Sequence, residues 1–201
     1  MERFLQSSAE FNVTVANVTK PANYFHLLRR QLAREFRKPL IVMAPKSLLR
    51  FPKCVSPLED FAEGTKFQEV FDDPIVGEDD KLIEEVKIVL WCSGKVYYDL
   101  LEKQAAENRY DVAIVRLEQL YPFPKVQCDE INRKYGKKTA FVWVQEEPSN
   151  MGAWQYILAF YRNFDLQLVA RKSSASPATG FSSIHKKEQA DIVERAFNIS
   201  E

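Results

Sequence analysis

From residue 86 onward, short continuous apolar runs alternate with stretches of helical period, and this alternation constrains the fold more than any other feature. Val86 to Trp91, Asp111 to Leu117, Thr139 to Val144 and Leu166 to Val169 read as strands. Between them, Tyr97 to Ala106, Lys125 to Tyr135 and Ala153 to Tyr161 read as helices, and a last helix is expected from about Ile184 to Phe197. Strands that lack polar alternation are buried on both faces, as in a parallel sheet clothed by helices. Parallel neighbours need crossover connections, which the intervening helices supply. The expectation for 86–201 is a complete α/β domain of three layers, a mostly parallel sheet with helices on both faces. Val126, Ile131 and Tyr135 should form the inward face of the second helix, and Ile192, Val193 and Ala196 that of the last.

The first part of the chain is less complete. Val13 to Val18 alternates as a strand does. Pro21 suits the first turn of a helix, and Tyr24, Phe25, Leu27, Leu28 and Leu32 recur at helical spacing. Leu40 to Met43 is a buried-strand run that Pro45 ends. Two strands, one helix and a short amphipathic helix near Phe4 and Leu5 leave apolar faces with no partner layer. Residues 1–50 are therefore expected to be the end of an incomplete α/β domain, with Met1 at an internal position of a longer protein. Residues 51–85 read as a linker, with an expected edge strand at Phe67 to Phe71 and a solvated loop at Gly77-Glu78-Asp79-Asp80.

Composition narrows the partners. The 201 residues are 46% hydrophobic, enough for a core without metals or disulfides. Lys plus Arg and Asp plus Glu are 28 each, so the basic excess of a general nucleic-acid binder is missing and no nucleic-acid partner is expected. No apolar run nears the ~20 residues of a membrane span, so no membrane partner is expected either. Cys54, Cys92 and Cys128 are odd in number and scattered, which suggests reduced thiols in a reducing compartment.

Several clusters fall at strand ends, where an open parallel sheet places its ligand crevice. Ser93-Gly94-Lys95 follows a strand and opens a helix, so Ser93 and Lys95 are candidates for an anion contact. A phosphate-cradling loop needs two separated glycines before its lysine, and only Gly94 is present, which favours a tight turn with a solvated lysine. In Gln145-Glu146-Glu147-Pro148 the adjacent carboxylates should point to opposite faces. They are expected to cap a helix or pair with a cation rather than act as an acid/base pair. Asn150 is the cap candidate for the next helix, and Trp154 a core or interface anchor. Arg171 heads a small-residue loop through Gly180 and is the third candidate anion contact; an ordinary connection weighs equally. His26 and His185 have no acid or cysteine at metal-ligand spacing, so His26 reads as structural and His185 as a cap of the last helix. The cluster Arg29, Arg30, Arg34, Arg37 and Lys38 reads as a solvated face. No nucleophile elbow, dinucleotide glycine fingerprint or zinc cysteine pair occurs. No catalytic, cofactor-binding or metal-ligating residue is expected.

Longer strings carry a resemblance. Pro21-Ala22-Asn23-Tyr24-Phe25-His26-Leu27-Leu28-Arg29-Arg30-Gln31, Arg37-Lys38-Pro39-Leu40-Ile41-Val42 and Pro45-Lys46-Ser47-Leu48-Leu49-Arg50 resemble the 2-oxoglutarate dehydrogenase family, in its decarboxylating first component. So do Cys92-Ser93-Gly94-Lys95-Val96-Tyr97-Tyr98-Asp99-Leu100, Ala113 to Leu120, Gln145 to Pro148 and Ser174-Ala175-Ser176-Pro177-Ala178. Members acting on 2-oxoadipate look similar. The resemblance implies three transketolase-related α/β domains. This chain would hold the tail of the pyrimidine-binding domain to about Arg50, then the transketolase-like carboxy-terminal domain. It further implies thiamine diphosphate and magnesium in the full-length enzyme, held by upstream residues and not by this chain. The whole enzyme would be a homodimer working with a dihydrolipoamide succinyltransferase in a multienzyme complex of the tricarboxylic acid cycle, in bacterial cytoplasm or mitochondrial matrix. This part alone would be inactive. Some members bind acyl-CoA or nucleotide effectors, and by similarity His26, Arg50, Lys66 and Gln119 are the candidate contacts. That pocket also uses a pair of arginines just beyond Gln119, where this chain reads Pro124-Lys125-Val126-Gln127. Lys20 stands where the family often has threonine. The alternative is a free-standing module that dimerises or senses an acidic metabolite.

Overall fold

The protein was analysed as a computed structural model, which describes residues 1–136, 139–160 and 165–199. It opens with α1 (Glu2–Gln6), β1 (Thr14–Ala16), α2 (Pro21–Ala33) and β2 (Leu40–Val42). Pro21 at the start of α2 needs no backbone N–H there. After two turns of 3-10 helix come β3 (Val70–Phe71), a third such turn at Val76–Glu78, and α3 (Asp80–Glu85). Asp79 caps α3, its carboxylate accepting from Lys81 N at 2.9 Å. The regular alternation follows: β4 (Ile88–Cys92), α4 (Val96–Glu107), β5 (Val112–Leu117), β6 (Gln119–Tyr121), α5 (Lys125–Tyr135), β7 (Ala140–Pro148), α6 (Trp154–Phe160), β8 (Leu166–Arg171) and α7 (Ser182–Phe197).

The larger sheet has the order β3-β5-β4-β7-β8. Its last four strands run parallel, and β3 lies antiparallel on β5 as an edge. β4 is buried along its whole length and feeds both faces. Ile88, Leu90 and Cys92 pack with Leu100 of α4 and Ile192 and Phe197 of α7. Val89 and Trp91 pack with Cys128 of α5 and Ile157 of α6. The three layers anticipated over 86–201 are thus present. At the centre of the second face, Trp91 Nε1 donates to Asn132 Oδ1 at 3.1 Å, so the buried indole keeps a partner.

A second sheet has the order β2-β1-β6. β2 is parallel to β1, whereas β6 is antiparallel to it, with Ala16 opposite Gln119. This third strand was absent from the sequence reading. It belongs to the run that builds β5 and is separated from it by Glu118 alone. The chain leaves one sheet at Leu117 and enters the other at Gln119. Ala16, Val18, Leu27 and Phe67 form a small core beneath this sheet.

Other expectations need correction. The segment Gly77 to Asp80 is a helical turn and the start of α3, because the Asp79 carboxylate supplies a cap that the acidic string did not advertise. Phe67 lies outside the edge strand and packs in the small core. Val126 is 66% exposed, whereas Tyr135 and the partly buried Ile131 face the core as expected, with Cys128 and Asn132 buried beside them. Tyr161, expected at the end of a helix, lies outside the described residues. The three cysteines are free, with Cys92 and Cys128 buried and Cys54 half-buried. Among the described residues no helix is long and apolar enough to cross a membrane.

Candidate functional site

β4 connects to β5 on one side through α4, and the chain then returns to β7 on the other side of β4. The carboxyl end of β4 is therefore the topological switch point, where an open α/β sheet usually holds its ligand. Here the chain itself occupies that place. Gly94, at φ +78°, lies so close to Asn17 that a Cβ would stand 2.5 Å from its Nδ2. Ser93 Oγ donates to Leu117 O at 2.9 Å. Lys95 Nζ is paired with the Glu146 carboxylate at the end of β7. Both candidate anion contacts at this strand end thus have protein partners.

Behind the crevice lies a buried polar joint. The Glu118 carboxylate is fully buried and accepts from Thr19 N at 2.8 Å, Thr19 Oγ1 at 2.6 Å and Asn23 Nδ2 at 3.0 Å. Arg116 donates to Thr19 Oγ1 at 3.0 Å, and its guanidinium carbon sits 4.1 Å from the ring centre of Tyr97 and 4.6 Å from that of Phe71. Tyr98 OH and Cys54 Sγ donate to the Thr19 carbonyl. Burial pushes Glu118 above the usual carboxylate range, against the opposing pull of Arg116 and the three hydrogen bonds. A carboxylate so enclosed meets no substrate. Its geometry ties the start of α2 to the point where the chain changes sheets. The sequence signal was present and unused: Glu118 and Arg116 are the only charges in the stretch Val112 to Tyr121.

The effector candidates are only partly brought together. His26 is buried, donating from Nε2 to Asp60 O at 2.7 Å and accepting at Nδ1 from Arg29 at 3.1 Å. His26 and Lys66 line a cavity of 430 Å³ together with Arg29, Arg30 and Gln127, and a second of 370 Å³ with Lys20, Asp60 and Thr65. Gln119 joins this group through Arg30, which donates to both Gln119 Oε1 and Glu69 Oε1. Burial and the neighbouring Arg34 push Arg30 down to about 10, with Glu69 opposing, so it stays charged at neutral pH. Arg30 and Arg34 are therefore not simply solvated: Arg34 also donates to Thr14 Oγ1 at 3.1 Å. Arg50 is exposed and borders neither cavity.

At the ends of β7 and β8 the roles differ from those expected. Gln145, not its acidic neighbours, meets the start of α6. Its Oε1 accepts from Trp154 N at 3.1 Å and from Trp143 Nε1 at 2.9 Å, and its Nε2 donates to Met151 O. Asn150 exchanges two hydrogen bonds of 3.0 Å with the backbone of Ser174, holding the loop after β8 rather than capping α6. Trp154 is half-buried and packs against the core. His185 sits in the first turn of α7, where its Nδ1 accepts from Arg171 Nη2 at 2.8 Å instead of closing the helix end.

Comparison with known proteins places this architecture. The family profile described as 2-oxoglutarate dehydrogenase C-terminal matches residues 55–197. The chain belongs to this family. Residues 1–52 match the profile of the transketolase pyrimidine binding domain. A 2-oxoglutarate dehydrogenase E1 component of Haemophilus influenzae is 47% identical over 98% of the chain and 21% of its own length. One of Azotobacter vinelandii is 43% identical over 99% of the chain and 21% of its own length. A probable 2-oxoadipate dehydrogenase complex component E1 homolog of Dictyostelium discoideum is 43% identical over 98% of the chain and 24% of its own length. The chain spans about a fifth of the length of these curated relatives.

Proposed function

We propose that this chain is the carboxy-terminal part of a thiamine-diphosphate-dependent 2-oxoglutarate dehydrogenase, serving assembly and regulation while the chemistry resides elsewhere in the enzyme. The whole enzyme oxidatively decarboxylates 2-oxoglutarate and passes a succinyl group to the lipoate of a dihydrolipoamide succinyltransferase. It acts as a homodimer in bacterial cytoplasm or mitochondrial matrix. The observation that carries the division of labour is the filled switch point: Asn17 against Gly94 and Lys95 on Glu146 occupy the usual ligand crevice, with the enclosed Glu118 behind them. Among the described residues no group of three or more His, Cys, Asp or Glu side chains is arranged to hold a metal ion. In this reading thiamine diphosphate and its magnesium are held by other parts of the whole enzyme. In this reading 1–50 end the pyrimidine-binding domain, 51–85 link, and 86–201 form the terminal domain.

Effector binding belongs to the same proposal. His26 and Lys66, with Arg29 and Arg30, line a cationic cavity suited to an acyl-CoA or nucleotide phosphate; Gln119 is tied to it through Arg30, and Arg50 lies outside it. Calorimetry of the chain with thiamine diphosphate and magnesium should give no saturable heat; a stoichiometric micromolar site would overturn the division of labour. Assay of the full-length enzyme with 2-oxoglutarate and 2-oxoadipate decides the substrate, the likeness to the Dictyostelium protein being what supports 2-oxoadipate as the alternative. Lys66→Ala should abolish any response of that enzyme to acyl-CoA while leaving its basal rate intact.

A further inference from the structure

β8 is the last strand of the large sheet, and among the described residues only β7 pairs with it. Its outer edge therefore offers main-chain groups to a further strand. Ser149 N donates to Arg171 O at 2.9 Å, so the Arg171 carbonyl turns inward, toward β7. Successive residues of a strand turn their main-chain groups to opposite sides, so Leu166, Leu168 and Ala170 turn theirs outward. Arg195 of α7 agrees with this parity: its Nη2 donates to Ala170 O at 2.7 Å, a carbonyl that the ladder leaves free. Among the described residues no side chain covers the main-chain groups of Leu168 in the same way. The edge forms one wall of a groove of 820 Å³ whose other wall is α7. Leu168, Ala170 and Ile184 give the groove an apolar lining, and Ile184 is 45% exposed.

The charges along this groove choose its occupant. Arg171 pairs with Glu188 at 3.4 Å and Arg195 with Asp191 at 2.8 Å, so these four side chains cancel. Lys172 and Lys187 are left on the rim, both exposed and without an ion pair among the described residues. A small anion would meet the lysines and leave the strand edge unpaired. A basic segment would be repelled. An extended segment with acidic side chains uses every feature: its main chain pairs with β8, its apolar side chains cover the lining, and its acids meet Lys172 and Lys187. We propose that β8 and α7 form a docking groove for an extended, acidic segment of a partner protein, which joins the five-stranded sheet as a further strand. β8 has six residues, so a segment of similar length fills the edge. A second copy of this chain would meet the edge with the same cationic rim, so the charges favour a different partner.

The probe is a short fluorescent peptide of alternating valine and glutamate, titrated by anisotropy with this chain and with the full-length protein. It should bind both saturably, and more weakly as salt is added. The same peptide with lysine for glutamate should not bind. Two further forms carry N-methyl groups along one edge or the other. One of them should bind at least about tenfold more weakly, because it loses the main-chain hydrogen bonds to β8. Lys172→Glu with Lys187→Glu should weaken the acidic peptide about tenfold and admit the lysine form. Leu168→Pro removes an outward N–H that the ladder does not use, which an edge strand tolerates, so it should fold and lose at least about tenfold in affinity. Unfolding curves check that each variant is folded, and the N-methylated peptides put the same question to the unmodified chain. Absence of saturable binding, equal binding of the acidic and lysine forms, or full binding of both N-methylated forms would each overturn the proposal. Binding to this chain but not to the full-length protein would overturn it by assigning the edge to another part of the same protein. Self-association that Leu168→Pro abolishes and the acidic peptide leaves intact would overturn it by assigning the edge to a second copy.

Discussion

Replacing Gly94 with alanine tests whether the two sheets meet as tightly as the crevice geometry requires. Gly94 has φ +78°, where an L-residue is strained by roughly 1–2 kcal/mol. The added Cβ would lie 2.5 Å from Asn17 Nδ2 and 2.9 Å from its Oδ1, closer than real contacts allow. Asn17 is 6% exposed, so its amide cannot swing freely away, and overpacking of this kind costs about 1–3 kcal/mol. The total is about 2–5 kcal/mol, or a fall of about 4–20 °C in Tm for a chain of this size. Asn17→Ala removes the obstruction and deletes an oxygen, Oδ1, that makes no hydrogen bond. In the double variant only the backbone strain, about 1–2 kcal/mol, should remain from the Gly94 change. Thermal and denaturant unfolding of the four proteins, followed by circular dichroism, gives the coupling energy directly. If Gly94→Ala destabilises equally with and without the Asn17 side chain, the close approach of the sheets is not what dictates glycine at this position.

The remaining predictions concern the buried acids and the exposed face of α2. Asp73 is 1% exposed and accepts from Ile75 N, Val76 N, Gln104 Nε2 and Ile114 N; Asp73→Ala should strand these donors and cost at least about 3 kcal/mol in denaturant unfolding, while a loss under 1 kcal/mol would refute the reading. Glu118 is raised above its ordinary 4.5 by burial, so the folded form holds a proton that the unfolded chain gives up between those two values. Stability from this group therefore rises as pH falls through the raised value and levels off below about 4.5. The stability difference between wild type and Glu118→Gln should shift toward wild type over that window, and a difference flat in pH would contradict it. Tyr24, Phe25, Leu28, Leu32 and Phe36 are all at least 40% exposed along α2 and just beyond it, so sedimentation should show concentration-dependent self-association that Leu28→Glu with Leu32→Glu weakens. A clean monomer at high concentration would count against that face as an interface.

The sequence made the large sheet legible because its signals were redundant. β4, β5 and β7 are long enough for continuous apolar runs, and both of their faces are buried, so period and length agreed. The second sheet was half legible for a physical reason. β6 has only three residues, begins with a glutamine, and directly follows a longer strand, so nothing in its pattern separates it from β5. The site was harder still. Lys95, Ser93 and Arg171 were visible as cations and hydroxyls at strand ends, but whether such a group is free depends on partners far away in the chain: Glu146, Leu117 and His185 respectively. Gln145 was overlooked beside two carboxylates, although a neutral amide that accepts and donates at once is what a buried helix start beside Trp143 needs.

Glu118 explains why those strand ends came to serve as a joint. In a free-standing parallel sheet, β5 would stop near the crevice and leave its mouth open to a ligand. Here a single buried carboxylate lets the chain turn out of one sheet and into the other. Its three donors all come from the segment entering α2, so the turn cannot form without that segment in place. The same contacts deliver Asn17 onto Gly94, because Asn17 N donates to the Glu118 carbonyl at 2.8 Å. Closing the crevice and fastening the two sheets are thus one event. A ligand could enter at the carboxyl end of β4 only if the joint opened, which would expose a buried carboxylate and the Arg116 guanidinium together.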